Sequence, residues 1–228
     1  PGSMTEYYVF TNTADGPTGG TISYSIVDIS APGNETFPTP PIGNVTSKNN
    51  IIAGLPNRSE AMMVIQHTNQ RDFWLITHDN GAANYSVTLF DNSGTGPVST
   101  NNFTLGLIDV AANFSWHEAT GRIAVSPQEG NRDVEILTFS PATGTLAYVQ
   151  RVLNTAVTST IPEAIYDTEW SNNGQFLYIS DTSEYGGFLH RYFMSARLNP
   201  DDLYLPFIRI GRYIPASCKL PVIEGVFS

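Results

Sequence analysis

One short stretch of this chain crowds together side chains able to do chemistry: His67, Asp72, Trp74, His78 and Asp79. An imidazole beside a carboxylate can shuttle a proton or hold a metal, and an indole face can stack on a sugar or a cation. These five residues form the candidate ligand-binding set. His67 and His78 lie 11 residues apart and flank one hairpin, an arrangement that sets them at opposite ends of paired strands as readily as side by side. The competing reading of His67 and Trp74 is structural: a stacked, hydrogen-bonded contact between neighbouring repeats. Zinc requires three or four ligands converging on one point, and the other two histidines, His117 and His190, add no such pattern.

Clustered carboxylates suit calcium, which takes oxygen ligands. Asp181 and Glu184 share the loop Asp181-Thr182-Ser183-Glu184-Tyr185-Gly186-Gly187, and His78-Asp79-Asn80-Gly81 occupies the equivalent place in an earlier repeat. Asp181 and Glu184 are therefore the candidate calcium ligands, weighed against plain turn chemistry. No other cofactor is expected. No Gly-x-Ser-x-Gly elbow and no phosphate-binding glycine loop is present, so no catalytic residue is assigned.

Composition narrows the partners. The 228 residues carry 11 basic and 21 acidic side chains, a formal charge of −10. Binding to DNA or RNA rests on Lys and Arg displacing counterions, and the only lysines are Lys48 and Lys219. Nucleic acid and anionic membrane are disfavoured as partners. No apolar run is long enough to span a bilayer. The single cysteine, Cys218, excludes an internal disulfide. Six Asn-x-Ser/Thr triplets reflect a chain rich in Asn, Ser and Thr.

The elements that must position these residues recur. Met62–His67 with Phe73–Thr77, Ala112–Trp116 with Ile123–Ser126, and Tyr166–Ser171 with Phe176–Ser180 align as strand, turn, strand. Thr77 and Ser126 are 49 residues apart, Ser126 and Ser180 54. Each unit continues into a third alternating strand (Tyr85–Phe90, Val134–Phe139, Leu189–Met194) and a weaker fourth near Phe103–Leu107, Leu146–Val152 and Leu203–Ile210. Repeats of about 40–50 residues with four short strands are the signature of a β-propeller. The expectation is an all-β protein, a propeller or propeller fragment of about four blades, each a four-stranded antiparallel sheet. Trp74, Trp116 and Trp170, at first- or second-strand positions, read as packing between blades, with a sugar-binding face as the alternative.

Residues 1–4 are set aside, Pro1-Gly2-Ser3 before Met4 reading as a cleaved-tag remnant, and 5–228 as one domain. Its blades are expected at about 5–56 with 220–228, 60–107, 111–155 and 163–212. The chain opens on Tyr7-Tyr8-Val9-Phe10-Thr11, which matches a second strand, while Val222–Ser228 resembles a first strand. Either the last strand completes the first blade and closes a ring of four, or the chain is an open arc whose exposed edges invite self-association.

The stretch Ile65–His78, with His67, Asn69, Asp72, Trp74, Thr77 and His78 at the telling positions, resembles the propeller-like region of large secreted proteins of Bacteroidetes-type bacteria, which carry a type IX secretion or gliding-motility-type C-terminal domain. Tyr7–Thr11, Tyr24–Asp28 and Glu169–Ser180 fit the same pattern, and the likeness runs over roughly residues 5–195. It implies a secreted or cell-surface location and an adhesive role, and no catalytic residues. The chain shows no sorting domain, and residues after Tyr204 depart from the pattern.

The sequence therefore points to a non-catalytic extracellular binding, adhesion or scaffold module, presenting a glycan or protein ligand to propeller loops. The alternative is a lactonase-type propeller hydrolase, with or without a metal, which the run Asn172–Ser180 also resembles.

Overall fold

A computed structural model describes residues 3–13, 19–33, 43–103, 112–127, 133–153, 164–182, 188–193 and 208–212. Among these residues fifteen strands make four antiparallel sheets. The first holds β1 (Glu6–Asn12), β2 (Ile22–Asp28) and β3 (Asn44–Ile51). The second runs β4 (Arg58–Gln66), β5 (Phe73–Asp79), β6 (Asn84–Asp91) and β7 (Gly94–Asn102). The third runs β8 (Ala112–His117), β9 (Arg122–Pro127), β10 (Asp133–Ser140) and β11 (Thr145–Leu153). The fourth holds β12 (Ala164–Trp170), β13 (Phe176–Thr182), β14 (Phe188–Phe193) and β15 (Ile208–Arg212).

The sheets stack face to face in chain order, and a separate apolar cluster fills each gap. Between the first two, Phe90 meets the rings of Tyr8, Phe10 and Tyr24 edge-on, at centroid distances of 5.8, 5.0 and 5.7 Å, with Ile22, Leu55 and Leu75 around them. Ile76, Tyr85, Val87, Phe114, Val125 and Leu137 fill the second gap. Ile136, Ile165, Trp170, Leu177 and Ile179 fill the third. The strongest strand contacts between sheets involve the first strand of each, β4 against β8 and β12 against β8 and its neighbour β9. Four-stranded antiparallel sheets that meet their neighbours through their first strands fit the packing of propeller blades.

Three of the four sheets have the expected four strands; the first has three among the described residues. Residues 220–228, expected to complete it, lie outside the described residues. The fourth strand of the second sheet is a correction. It was expected at Phe103–Leu107 but lies at Gly94–Asn102. Gly96 and Pro97 disguise it as loop, yet the ladder slips between Thr88 and Phe90 opposite them. An outermost strand with a bulge tolerates a proline that cannot donate.

Turn glycines close the first hairpin of the third and fourth sheets, where Gly121 and Gly174 take left-handed φ values of 64° and 65°. The second sheet places Gln70, φ 58°, in the corresponding turn.

Candidate functional site

The five candidate binding residues divide between the two ends of one strand. His67, Asp72 and Trp74 sit at the start of β5 and in the turn before it; His78 and Asp79 close β5 at its far end. A strand of 7 residues at about 3.3 Å per residue separates the groups, so the set is two places on the molecule rather than one pocket.

The first place is a locked hairpin. The His67 amide donates to the Asp72 carbonyl and the Gln70 amide to the His67 carbonyl, both at 2.9 Å. Asn69 is its hub: its Oδ1 accepts from the amides of Arg71 and Asp72 at 3.0 and 2.9 Å, and its Nδ2 donates to Asp72 Oδ2 at 2.6 Å. The Asn69 amide donates to His67 Nδ1 at 3.0 Å. Arg71 Nε reaches Asp72 Oδ1 at 3.1 Å. The Arg71 hydrogen bond, aided by Asn69, holds the Asp72 carboxyl below its usual range. Asp72 is buried, while the Arg71 side chain remains 55% exposed.

Trp74 stands behind this turn. Its ring stacks under His67 at 5.6 Å and 23°, and its indole N–H donates to the Pro141 carbonyl at 2.8 Å, in the β10–β11 turn of the next sheet. The structural reading of His67 and Trp74 thus describes the contact that is present. Trp170 repeats the device one gap later, donating to the Ser115 carbonyl at 3.1 Å. His117 adds a third tie, from Nε2 to the Asn172 carbonyl at 3.1 Å.

The second place is buried. His78 is fully enclosed and packs edge-on against Tyr85 at 4.4 Å. Neither ring nitrogen closes a hydrogen bond. Burial pushes its pKa down to about 3, with the nearby Asp79 backbone opposing and Arg58 adding to the shift. The imidazole is therefore neutral at physiological pH. Asp79 pairs with Arg58 at 2.5 Å, and Arg58 also donates to Ser86 Oγ at 2.9 Å. Burial lowers the Arg58 pKa against the pull of Asp79. A buried guanidinium needs this partner.

Sequence reasoning missed a second buried polar link. The Tyr85 hydroxyl donates to Glu135 Oε2 at 2.5 Å, with Arg151 3.9 Å from the other carboxylate oxygen. Burial, then Glu135, raises the Tyr85 pKa well above its usual value. No local motif announces a partner 50 positions away. Also missed is an open depression of about 500 Å³ on the fourth sheet, bounded by Glu169, Trp170, Asn172, Asn173, Phe176 and Tyr178.

Among the described residues no three His, Cys, Asp or Glu side chains are grouped to hold a metal. The calcium candidates are not among them: Glu184 and the side chain of Asp181 lie outside the described residues.

A solved structure from Lactobacillus plantarum superposes on this chain with a TM-score of 0.52 at 12% identity, covering 90% of this chain and 54% of that one. The fold is a β-propeller. The chain spans about half the length of that structure. A chain from a structural and mechanistic analysis of two prolyl endopeptidases matches more loosely, with a TM-score of 0.35, 11% identity, and coverage of 82% and 24%. No protein-family profile and no curated protein matches the sequence.

Proposed function

We propose that this propeller is a non-catalytic recognition and scaffold module acting outside the cell. One observation carries the reading: the His67–Asp72 turn is cross-braced by its own hydrogen bonds and anchored through Trp74 to the neighbouring sheet, yet it holds Arg71 out to solvent. A rigid loop displaying a charged side chain loses little entropy on binding, as recognition demands. Asp72, His67, Trp74, His78 and Asp79 meanwhile serve the fold, and their partners are protein groups. The ligand class is a glycan or protein of a cell surface, and the low charged fraction of 14% fits an external location.

The test is a glycan and surface-protein array probed with the intact chain and with Arg71→Ala. The expected result is a hit weakened at least about tenfold in the variant, the loss of one charge-assisted contact. Turnover of aldonolactones by the intact chain, or a hit indifferent to Arg71, would overturn the reading.

A further inference from the structure

We infer that the gap between the first and second sheets holds a specific site for buried water, where water ties the Thr77 and Thr88 hydroxyls to the Arg58 guanidinium. The site is separate from the His67–Asp72 turn and does not depend on what that turn binds.

Strand alternation and register bring these groups together. Leu75 of β5 and Phe90 of β6 pack into the first gap. Thr77 lies two residues beyond Leu75, and Thr88 and Ser86 lie two and four before Phe90, so all three share that face. Thr77 stands directly across from Ser86, and Thr88 across from Leu75. Arg58 enters the same patch, meeting Ser86 Oγ at 2.9 Å and Asp79 Oδ1. Asp79 Oδ2 accepts from Asn84 Nδ2 at 2.8 Å, so both oxygens of that carboxylate are occupied.

Three polar atoms of the patch are left over. Thr77 Oγ1, Thr88 Oγ1 and Arg58 Nε are buried and meet no hydrogen-bond partner among the described residues. Thr77 and Thr88 are 0% exposed and Arg58 4%. The third and fourth sheets show what a hydroxyl in the place of Thr77 otherwise does. Ser126 donates to the carbonyl of Asn113, directly across from it, at 3.4 Å, and Ser180 to that of Asp167 at 3.3 Å. Thr77 faces Met62 in the same way, but the β4 ladder slips between Arg58 and Met62, and the hydroxyl is left without that bond.

A buried polar atom without a partner is strongly unfavourable. Internal waters answer this need, each typically held by about three polar groups. The patch supplies such a set: a guanidinium N–H that donates, and two hydroxyls that both give and take. Charge selects water over an ion, since Arg58 and Asp79 already cancel. The first sheet closes the rim. Gly20 exchanges two backbone hydrogen bonds with Arg58, at 2.7 and 2.8 Å, and Gly19 has no room for a Cβ against Asn57. Water at this site is therefore part of the joint between the two sheets.

The test combines a crystal structure at about 1.5 Å resolution with two near-isosteric variants. Water within about 3.2 Å of both hydroxyls is expected in the unaltered protein. Thr77→Val and Thr88→Val should each lower the melting temperature by about 2–4 °C, because the water loses a partner. In a dry gap valine would instead remove an orphaned hydroxyl, and the melting temperature would hold or rise. That result overturns the inference, and so does a crystal structure with no water bridging the two threonines. Should a variant fail to fold, the crystal structure of the unaltered protein decides alone.

Discussion

Gly144 lies directly beneath the Trp74 indole: a Cβ at that glycine would come within 2.6 Å of the ring carbons. The same glycine has a left-handed φ of 69°. Shape and backbone thus both call for glycine, and the indole N–H then reaches Pro141 three residues earlier in the same turn.

Gly144→Ala is expected to destabilise the protein by roughly 2 kcal/mol or more, from left-handed strain of about 1–2 kcal/mol plus overpacking. Trp74→Phe, which keeps an aromatic ring and removes the donor, should cost about 1 kcal/mol. Equilibrium urea unfolding reads both. In a Trp74→Ala background the Gly144→Ala cost should shrink to the backbone part alone. An unchanged cost would show that the ring is not what the glycine accommodates.

His78 makes stability depend on pH. Unfolded, its imidazole takes a proton near pH 6.5; folded, it resists until about pH 3. Its pKa is depressed in the folded state, so protons favour the unfolded chain between those values. The contribution is complete above pH 6.5 and is lost as pH falls toward 3. At pH 4.5 the linked loss is roughly 2–3 kcal/mol relative to neutral pH. His78→Leu should flatten that part of the urea-midpoint profile between pH 7 and pH 4.5. A profile identical to the parent's would mean that His78 is not the group responsible.

Tyr85→Phe strips the buried Glu135 carboxylate of its hydroxyl donor, while Arg151 stays 3.9 Å from its other oxygen. The expected cost is about 1.5–3 kcal/mol. Replacing both partners, as Tyr85→Phe with Glu135→Leu, should recover much of it, because no buried carboxylate is then left without its donor. If the double variant is as unstable as the sum of the singles, the pair is not coupled.

Calcium offers a direct check on Asp181 and Glu184. Plain turn chemistry at that loop predicts that millimolar calcium shifts the melting temperature by less than about 1 °C, since a ligand that binds only the folded state must raise it. A shift of several degrees, abolished by Asp181→Asn with Glu184→Gln, would instead establish a calcium site there.

The sheets were legible in the sequence because their cues are local. Alternating strands, the turn at Asn172-Asn173-Gly174 and the recurrence near 50 residues each sit within one hairpin or one repeat. β7 was not legible, since Gly96 and Pro97 break the strand pattern and only an outermost position excuses them. The candidate site was legible in part. Residue types marked His67, Asp72 and Trp74 as special, and they do form one hydrogen-bonded and stacked unit. Their purpose was hidden because the decisive acceptor for Trp74 is a backbone carbonyl 67 positions away, and a carbonyl carries no residue signature. His78 misled for the opposite reason: a ligand-type side chain can be buried for packing, and only its enclosure by Tyr85 and its neighbours tells the two apart.

The strict succession of sheets bears on biogenesis. Among the described residues every paired strand lies next to its partner in the chain, and each gap is filled by a neighbouring sheet about fifty residues on. Among the described strands each sheet is built from segments consecutive in the chain, so a nascent chain can lay down one sheet on the last as it emerges.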